Sequence, residues 1–277
     1  TQGYSSAASD VYKRQGIMNR IYIYSQEGRA SMEEEKEIYK ADDRLIVALD
    51  VDSFDSMKAL VDELGDLVSY YKVGMELYYS AGSATIHYLK EHGKKVFLDL
   101  KLHDIPNTVG HSVASVTRLG VNLITVHAGG GRAMMQAAAR YAKITADELE
   151  VERPKILAVT VLTSFDDKGW QEIGGHLPIQ DHVLELASLA KEAGVDGVVA
   201  SPKEATSIRE MAGDDFLIVT PGIRPAFAQT DDQKRIATPS QAFKDGASML
   251  VIGRPITQAI DPKAATRLIL KEIKENA

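Results

Sequence analysis

Short apolar runs alternate with amphipathic segments along the chain from Arg44 onward. The runs are rich in Val, Ile and Leu and are apolar at both odd and even positions, which is typical of strands buried on both faces of a parallel sheet. They are LIVALDV, YYKVGMEL, KVFLDLKL, LITVHAG, KILAVTVLT, GVVASP, FLIVTPG and SMLVIGRP. The pattern therefore predicts eight strands separated by helical segments.

The segments between the runs carry signals for helix starts and ends. SFDSMKALVDELG begins with Ser53 as a candidate N-cap and ends at Gly65, and QDHVLELASLAKEAG repeats apolar residues three and four positions apart before Gly194. Eight strand-helix units in roughly 235 residues match the usual size of a (β/α)8 TIM barrel. A doubly wound open sheet is the alternative, because periodicity does not tell whether a sheet closes.

The beginning of the chain differs from the rest. It is polar, rich in small residues and has no sustained period of a helix or a strand. We expect residues 1–40 to form an N-terminal extension that is poorly ordered or non-native. Residues 41–277 are expected to form a single α/β barrel with the catalytic site, since no low-complexity linker divides them.

The composition of the chain excludes several classes of protein function. The chain has 277 residues, 44% of them hydrophobic and 26% charged, with a net charge of -7, so a basic surface for nucleic acid is not expected. It has no cysteine, which excludes disulfides, thiolate metal sites and thiol catalysis. No apolar run is long enough to span a membrane, and the N-terminus lacks the apolar core of a secretory signal, so we expect a cytoplasmic protein.

Polar residues end several of the predicted strands. Active sites of TIM barrels lie at the C-terminal ends of the strands, so these residues are candidates for one shared site. They are Asp50 on strand one, Lys72 on strand two, Asp99 and Lys101 on strand three, Thr163 at the end of strand five, and Gly253 and Arg254 after strand eight.

The stretch FLDLKLHDIPNT places two opposite charges inside an apolar run. Asp99 and Lys101 are two positions apart, so a regular pleat points both side chains to the same face, which in a barrel is the interior. Burying a charge costs several kcal/mol unless it is paired and hydrogen-bonded. The pair is therefore interpreted as a functional site. Asp104 lies beyond the predicted strand end, and strand parity does not give its direction.

Two further features bear on ligand binding. Gly253 and Arg254 offer close backbone approach and a forked cation, which suit a phosphate, and the long connection 221–239 is a candidate lid. The seven histidines have no HExxH or comparable spacing, so no metal site is expected. His103 and His127 are interpreted as packing or hydrogen-bonding residues.

The motif DLKLHDIPNT resembles the signature of the orotidine 5'-phosphate decarboxylase family. Other markers of that family follow in order: ALDV, YKVG, TVHA, VLTS, PGIRP, DDQKR and IGRPI, so that the resemblance covers residues 42 to 275. It implies loss of CO2 from C6 of orotidine 5'-monophosphate to give uridine 5'-monophosphate, in de novo pyrimidine synthesis. It also implies that no metal or organic cofactor is used.

The resemblance assigns roles to individual residues. Lys101 would stabilise the carbanion at C6 and then donate the proton, with Asp99 beside the substrate carboxylate. Lys72, Asp99, Lys101 and Asp104 would form a chain of alternating charges, with Asp104 supplied by the neighbouring subunit of a homodimer with a shared active site. The implied substrate-binding residues are Asp50, Lys72, Ile105, Thr108, Thr163, Arg224, Gln233, Gly253 and Arg254.

Two alternatives stay open at this point. One is a related barrel enzyme that shares Asp-x-Lys-x-x-Asp and acts on a sugar phosphate through a divalent metal. The other is a catalytically silent nucleotide-binding barrel.

Overall fold

The computed structural model describes residues 39–225, 227 and 237–275, and these form a closed parallel barrel. The strands are β1 (Leu45–Ala48), β2 (Tyr70–Gly74), β3 (Lys95–Leu102), β4 (Leu123–His127), β5 (Lys155–Val159), β6 (Gly197–Val199), β7 (Leu217–Pro221) and β8 (Met249–Ile252). Each strand pairs with the next, and β8 pairs with β1 at Leu250 and Leu45. The predicted (β/α)8 barrel is thus confirmed, and the open-sheet alternative is wrong.

Helices connect the strands around the outside. They are α1 (Phe54–Leu64), α2 (Met75–Ala81), α3 (Ala84–Glu91), α4 (Pro106–Thr117), α5 (Gly131–Leu149), α6 (Asp167–Glu172), α7 (Ile179–Ala193), α8 (Pro202–Ala212), α9 (Pro239–Lys244), α10 (Arg254–Thr257) and α11 (Pro262–Glu275), with 3-10 turns at Gly65–Leu67 and Ala128–Gly130. The predicted caps are confirmed: the Ser53 hydroxyl accepts a hydrogen bond from the backbone N–H of Ser56, while Gly65 and Gly194 end their helices with positive φ.

The barrel has an inner and an outer apolar layer, as two-sided burial of the strands predicts. Alternate strand residues fill the interior, namely Ile46, Ala48, Tyr70, Phe97, Leu123, Leu157, Val219 and Val251. The residues between them pack outward against the helices. One step further along three strands, the inward positions become polar at Asp50, Lys72 and Asp99. The apolar interior therefore forms the floor beneath a polar layer.

Several predicted strand ends are too long. Strand β1 ends at Ala48, so the prediction that it extends to Asp50 is wrong, and Asp50 lies just beyond the strand. The run YYKVGMEL gives a strand only as far as Gly74, because Met75 begins α2. Strand β5 ends at Val159, so the prediction that it extends to Thr163 is wrong. Its neighbour β6 is only three residues long, and the hydrogen bond from Thr160 N–H to Val199 O is already stretched to 3.5 Å. Beyond Thr160, β5 has no residue of β6 left to pair with, and Thr163 lies in a turn.

Some predictions concern residues that lie outside the described part of the chain. The N-terminal extension, residues 1–40, falls there except for its last two residues, as do Gln233 and most of the connection 221–239. Among the helices that the structure describes, none has the length and apolar character needed to cross a bilayer.

Candidate active site

The ends of β1, β2 and β3 bring four charged side chains together. Lys72 Nζ lies 3.0 Å from Asp50 Oδ1 and 3.9 Å from Asp99 Oδ2, and Lys101 Nζ lies 2.9 Å from the same Asp99 oxygen. The order Asp50, Lys72, Asp99, Lys101 alternates in sign, so each charge has an opposite neighbour. The structure thus joins these four predicted site residues into one row.

The row is most exposed at Asp50, is mostly buried at its two central members, and is 29% exposed at Lys101. The side chain of Asp50 is 57% exposed, whereas those of Lys72 and Asp99 are 12% and 14% exposed. Gly74 lies next to the row, and a Cβ on this residue would be 3.0 Å from Lys72 Nζ. The absence of a side chain at Gly74 therefore leaves room for the ammonium group.

Strand β3 is irregular at the two central residues of this row. Leu98 pairs with Ile124 of β4, but the next pairing joins Leu102 to Val126. Between these two pairs β3 advances by four residues and β4 by two, so β3 contains a bulge. Within it, Lys101 has a left-handed backbone conformation with φ 51°. Asp99 and Lys101 do meet, but the prediction that a regular pleat brings them together is wrong. The bulge turns Lys101 back onto the carboxylate.

One polar side chain that contacts this bulge was not among the predicted site residues. Thr125 lies on β4 at the inward-facing parity, is fully buried, and forms hydrogen bonds to both Asp99 and Lys101. The signal that could have found it is a hydroxyl at an interior position of the otherwise apolar run LITV. Its polarity was visible, but its partners depend on a bulge that the sequence pattern did not reveal.

The loop after β3 is exposed, and in the described part of the chain Asp104, Ile105 and Thr108 form no hydrogen bond or ion pair with the row. Asp104, Ile105 and Thr108 are exposed, with Ile105 at 65%. Asp104 Oδ1 accepts a hydrogen bond from the backbone N–H of the next residue, Ile105, at 2.6 Å, just before the start of α4. Within the described residues no cation forms an ion pair with Asp104, so a single chain does not join it to Lys101.

The predicted phosphate residues lie at the end of β8 and the end of β7. Gly253 precedes α10, where Arg254 is exposed, and a Cβ on Gly253 would be 3.4 Å from Asp50 Oδ2. Arg224 is half-buried, and its backbone N–H donates to Ala237 O at 3.1 Å. Gly253 therefore adjoins the charged row, whereas no direct contact within the described residues joins Arg224, Arg254 or the exposed Thr163 to it.

The two histidines near the row pack together. The rings of His103 and His127 are stacked with centroids 5.0 Å apart, and His127 Nδ1 accepts a hydrogen bond from Gly129 N–H. Burial lowers the pKa of His127, and the neighbouring His103 and Lys101 lower it further. The two rings pack together as predicted, and His127 also forms a hydrogen bond; that neither ring acts as an acid or base stays a prediction. In the part of the chain that the structure describes, no three His, Asp or Glu side chains group as metal ligands.

Comparisons with known proteins agree on one family. Residues 43–269 match the model of the orotidine 5'-phosphate decarboxylase / HUMPS family. The orotidine 5'-phosphate decarboxylase of Moorella thermoacetica is 50% identical over 84% of this chain and 93% of its own length, and that of Trichlorobacter lovleyi is 50% identical over 84% and 96%. The crystal structure of orotidine 5'-phosphate decarboxylase from Lactobacillus acidophilus superposes with a TM-score of 0.74 at 46% identity, covering 83% of this chain and 98% of that one.

Proposed function

The chain belongs to the orotidine 5'-phosphate decarboxylase / HUMPS family, and we propose that it converts orotidine 5'-monophosphate into uridine 5'-monophosphate and CO2 without a metal or organic cofactor. The observation that carries the proposal is the alternating row Asp50, Lys72, Asp99, Lys101 at the mouth of the barrel. Relatives at 50% identity that carry this enzyme's name support the reaction itself, in de novo pyrimidine synthesis.

Lys101 is assigned the central chemical role. Departing CO2 leaves an electron pair on C6 of the pyrimidine, and the ring has no conjugated acceptor for a pair in the plane of an sp2 carbon. A fixed ammonium group stabilises that charge as it develops, and it then supplies the proton that C6 needs. The role is supported by the position of Lys101 Nζ, which two carboxylate contacts at 2.9 and 3.0 Å hold at the barrel mouth.

The negative charge of Asp99 affects this chemistry in two ways. At about 4 Å and an effective dielectric near 20, one carboxylate-ammonium contact contributes roughly 4 kcal/mol of attraction before desolvation is subtracted. That attraction holds the ammonium group of Lys101 against the carboxylate. Asp99 also presents negative charge beside the place where the substrate carboxylate would lie, which favours loss of the carboxylate as neutral CO2.

The remaining assignments concern substrate binding. Asp50, the most exposed member of the row, is suited to accept hydrogen bonds from ribose hydroxyls, with Lys72 beside it. Arg254 and the backbone at Gly253 would hold the phosphate, together with Arg224 and Gln233. Thr163 would contact the pyrimidine from its turn. Binding energy from the remote phosphate would then assist the reaction at C6.

The row ends at the cation Lys101 within one chain, and we assign the next alternating place, the fifth, to Asp104 of a second copy. The assignment is supported by the exposure of Asp104 and by its lack of an ion pair among the described residues. Ile105 and Thr108 would enter the same neighbouring site. The active form would be a homodimer of residues 41–277, and a cytoplasmic location stays a prediction from the sequence.

The pattern of charges also bears on the metal-dependent alternative. A divalent cation needs several carboxylate or carbonyl oxygens that converge on one point. Here Asp50 and Asp99 are separated by the ammonium group of Lys72, which contacts both. A cation at this place would meet the positive charge of Lys72, so the row favours the cofactor-free reaction.

The test is the ultraviolet absorbance change on adding the purified protein to orotidine 5'-monophosphate in the presence of EDTA. We expect turnover by the wild type and a loss of at least about 10²-fold in Lys101→Ala, within the range for a group that acts as both acid and electrostatic stabiliser. Turnover that EDTA abolishes would favour the metal-dependent relative. Tight binding of uridine 5'-monophosphate without turnover would favour a silent nucleotide-binding barrel.

A further inference from the structure

One buried hydroxyl connects the backbone of Lys101 with the side chain of Asp99. Thr125 Oγ1 accepts a hydrogen bond from the backbone N–H of Lys101 at 2.9 Å and donates its own proton to Asp99 Oδ1 at 3.0 Å. Thr125 has no exposed surface, and its strand neighbours Ile124 and Val126 are apolar. Both capacities of the hydroxyl, acceptor and donor, are therefore used within the row.

The backbone at this place needs such a partner. Between Leu98 and Leu102 the ladder of β3 and β4 is interrupted, so Lys101 N–H has lost the carbonyl that a regular strand would offer. Lys101 also has φ 51°, a conformation that a residue with a side chain holds only where its surroundings enforce it. Thr125 supplies the missing acceptor from a side chain.

The same hydroxyl acts on the carboxylate. Both carboxylate oxygens of Asp99 accept hydrogen bonds from Lys101 Nζ, and Oδ1 accepts another from the Thr125 hydroxyl, so the orientation of the carboxylate is fixed from two sides. A single hydroxyl thus restrains the chain direction at Lys101 and the carboxylate that its ammonium group contacts. A small rotation of either would move Nζ away from its place at the barrel mouth.

We propose that Thr125 is a positioning residue for Lys101: through its hydroxyl it closes the bulge of β3 and sets the distance and direction of the Asp99–Lys101 contact. The proposal rests on the assignment of Lys101 as the group that acts at C6. It predicts an effect on the chemical step more than on binding, because Thr125 is buried and its hydroxyl forms hydrogen bonds with Lys101 and Asp99, and with none of the assigned substrate-binding side chains among the described residues.

The first experiment separates the hydroxyl from the methyl group. Thr125→Val keeps the shape and removes the hydroxyl, whereas Thr125→Ser keeps the hydroxyl and removes the methyl. We expect Thr125→Val to lower kcat by at least about tenfold with KM changed by less than about threefold, and Thr125→Ser to retain most of kcat. A mere packing role would produce the opposite order of the two variants and would overturn the proposal.

Thr220→Val is the matched control. Thr220 is also a fully buried strand threonine, on β7, but its hydroxyl has no hydrogen-bond partner in the described residues. The variant should keep the wild-type kcat. If Thr125→Val does not fold, Thr125→Ala and Thr125→Ser form a second pair that differs by the hydroxyl alone, and equal kcat in that pair would overturn the proposal.

A measurement independent of turnover follows the Lys101 backbone amide by NMR hydrogen exchange. In Thr125→Val this amide should exchange at least about tenfold faster than in the wild type, while amides of β7 keep their rates. Unchanged exchange at Lys101 would overturn the proposal even if kcat fell. If the wild type does not turn over orotidine 5'-monophosphate, the proposed reaction fails, and the exchange rate still decides whether Thr125 holds Lys101.

Discussion

At the scale of single residues, Lys101 combines a side chain with a backbone conformation that disfavours one. Its φ of 51° is easy only for glycine. We therefore predict that Lys101→Gly is more stable than Lys101→Ala by about 1 kcal/mol, although both lose the same ammonium group. Urea unfolding of the two variants measures the difference.

The control for this prediction lies on the same strand. Lys95 is exposed at the start of β3 and does not have a positive φ. There the order should reverse, because glycine weakens a regular strand relative to alanine. If alanine were the more stable substitution at both positions, the left-handed conformation would not be a source of strain.

His127 is the residue from which a pH dependence of stability follows. Burial, His103 and Lys101 lower its pKa in the folded protein, so the unfolded chain binds the proton more tightly than the folded one. The contribution of His127 to stability is therefore complete above its ordinary pKa of about 6.5 and is lost as the pH falls below that value. Urea unfolding between about pH 7.5 and 5.5 should show this loss.

Replacing the ring tests the assignment to His127. His127→Gln should flatten the fall in stability over that pH range, and His87→Gln, at an exposed position on α3, is the control for replacing a histidine by glutamine. An unchanged slope in His127→Gln would assign the titration to other groups.

At the scale of elements, the sequence predicts where strands lie better than how they end. Apolar runs locate all eight strands because burial on both faces demands apolar residues at every position. The end of β5 was predicted wrongly because it depends on the length of β6, a neighbouring strand that is distant in sequence. The bulge in β3 was not predicted either, because it depends on the pairing with β4. Asp99 and Lys101 were therefore predicted as site residues, whereas Thr125, which contacts both across the bulge, was not.

The contact between α4 and α5 gives a prediction at this scale. A Cβ on Gly110 of α4 would be 2.6 Å from the ring of Tyr141 on α5, so the two helices approach closely because Gly110 has no side chain. Gly110→Ala should lower the free energy of unfolding by about 1–3 kcal/mol, despite alanine's better helix propensity, because the ring must move. Thermal or urea unfolding checks this.

The exposed Ser115 on the same helix provides the comparison. Ser115→Ala changes helix propensity without a new contact, so it should be neutral or slightly stabilising. Equal stability of Gly110→Ala and the wild type would mean that the interface between α4 and α5 can open without cost.

At the scale of the whole molecule, three contacts join the four members of the charged row, and a fifth position beyond Lys101 is open. Asp50, Lys72, Asp99 and Lys101 all come from one chain, whereas Asp104 projects outward at the start of α4 beside the exposed Ile105. Among the described residues Asp104 has no cationic partner, and α4 begins two residues later at Pro106. The site would then gain its next carboxylate from a second copy of the chain.

Subunit mixing tests this arrangement. Lys101→Ala and Asp104→Ala should each be nearly inactive, yet after exchange of subunits one site of each heterodimer would hold both native residues. Random pairing makes half of the dimers heterodimers with one intact site of two, so activity should recover to roughly a quarter of the wild type. Lys101→Ala mixed with Asp99→Ala is the matched control, because these residues contact each other at 2.9 Å within one chain. That mixture should stay inactive, and recovery in both mixtures, or in neither despite proven subunit exchange, would contradict a site shared through Asp104.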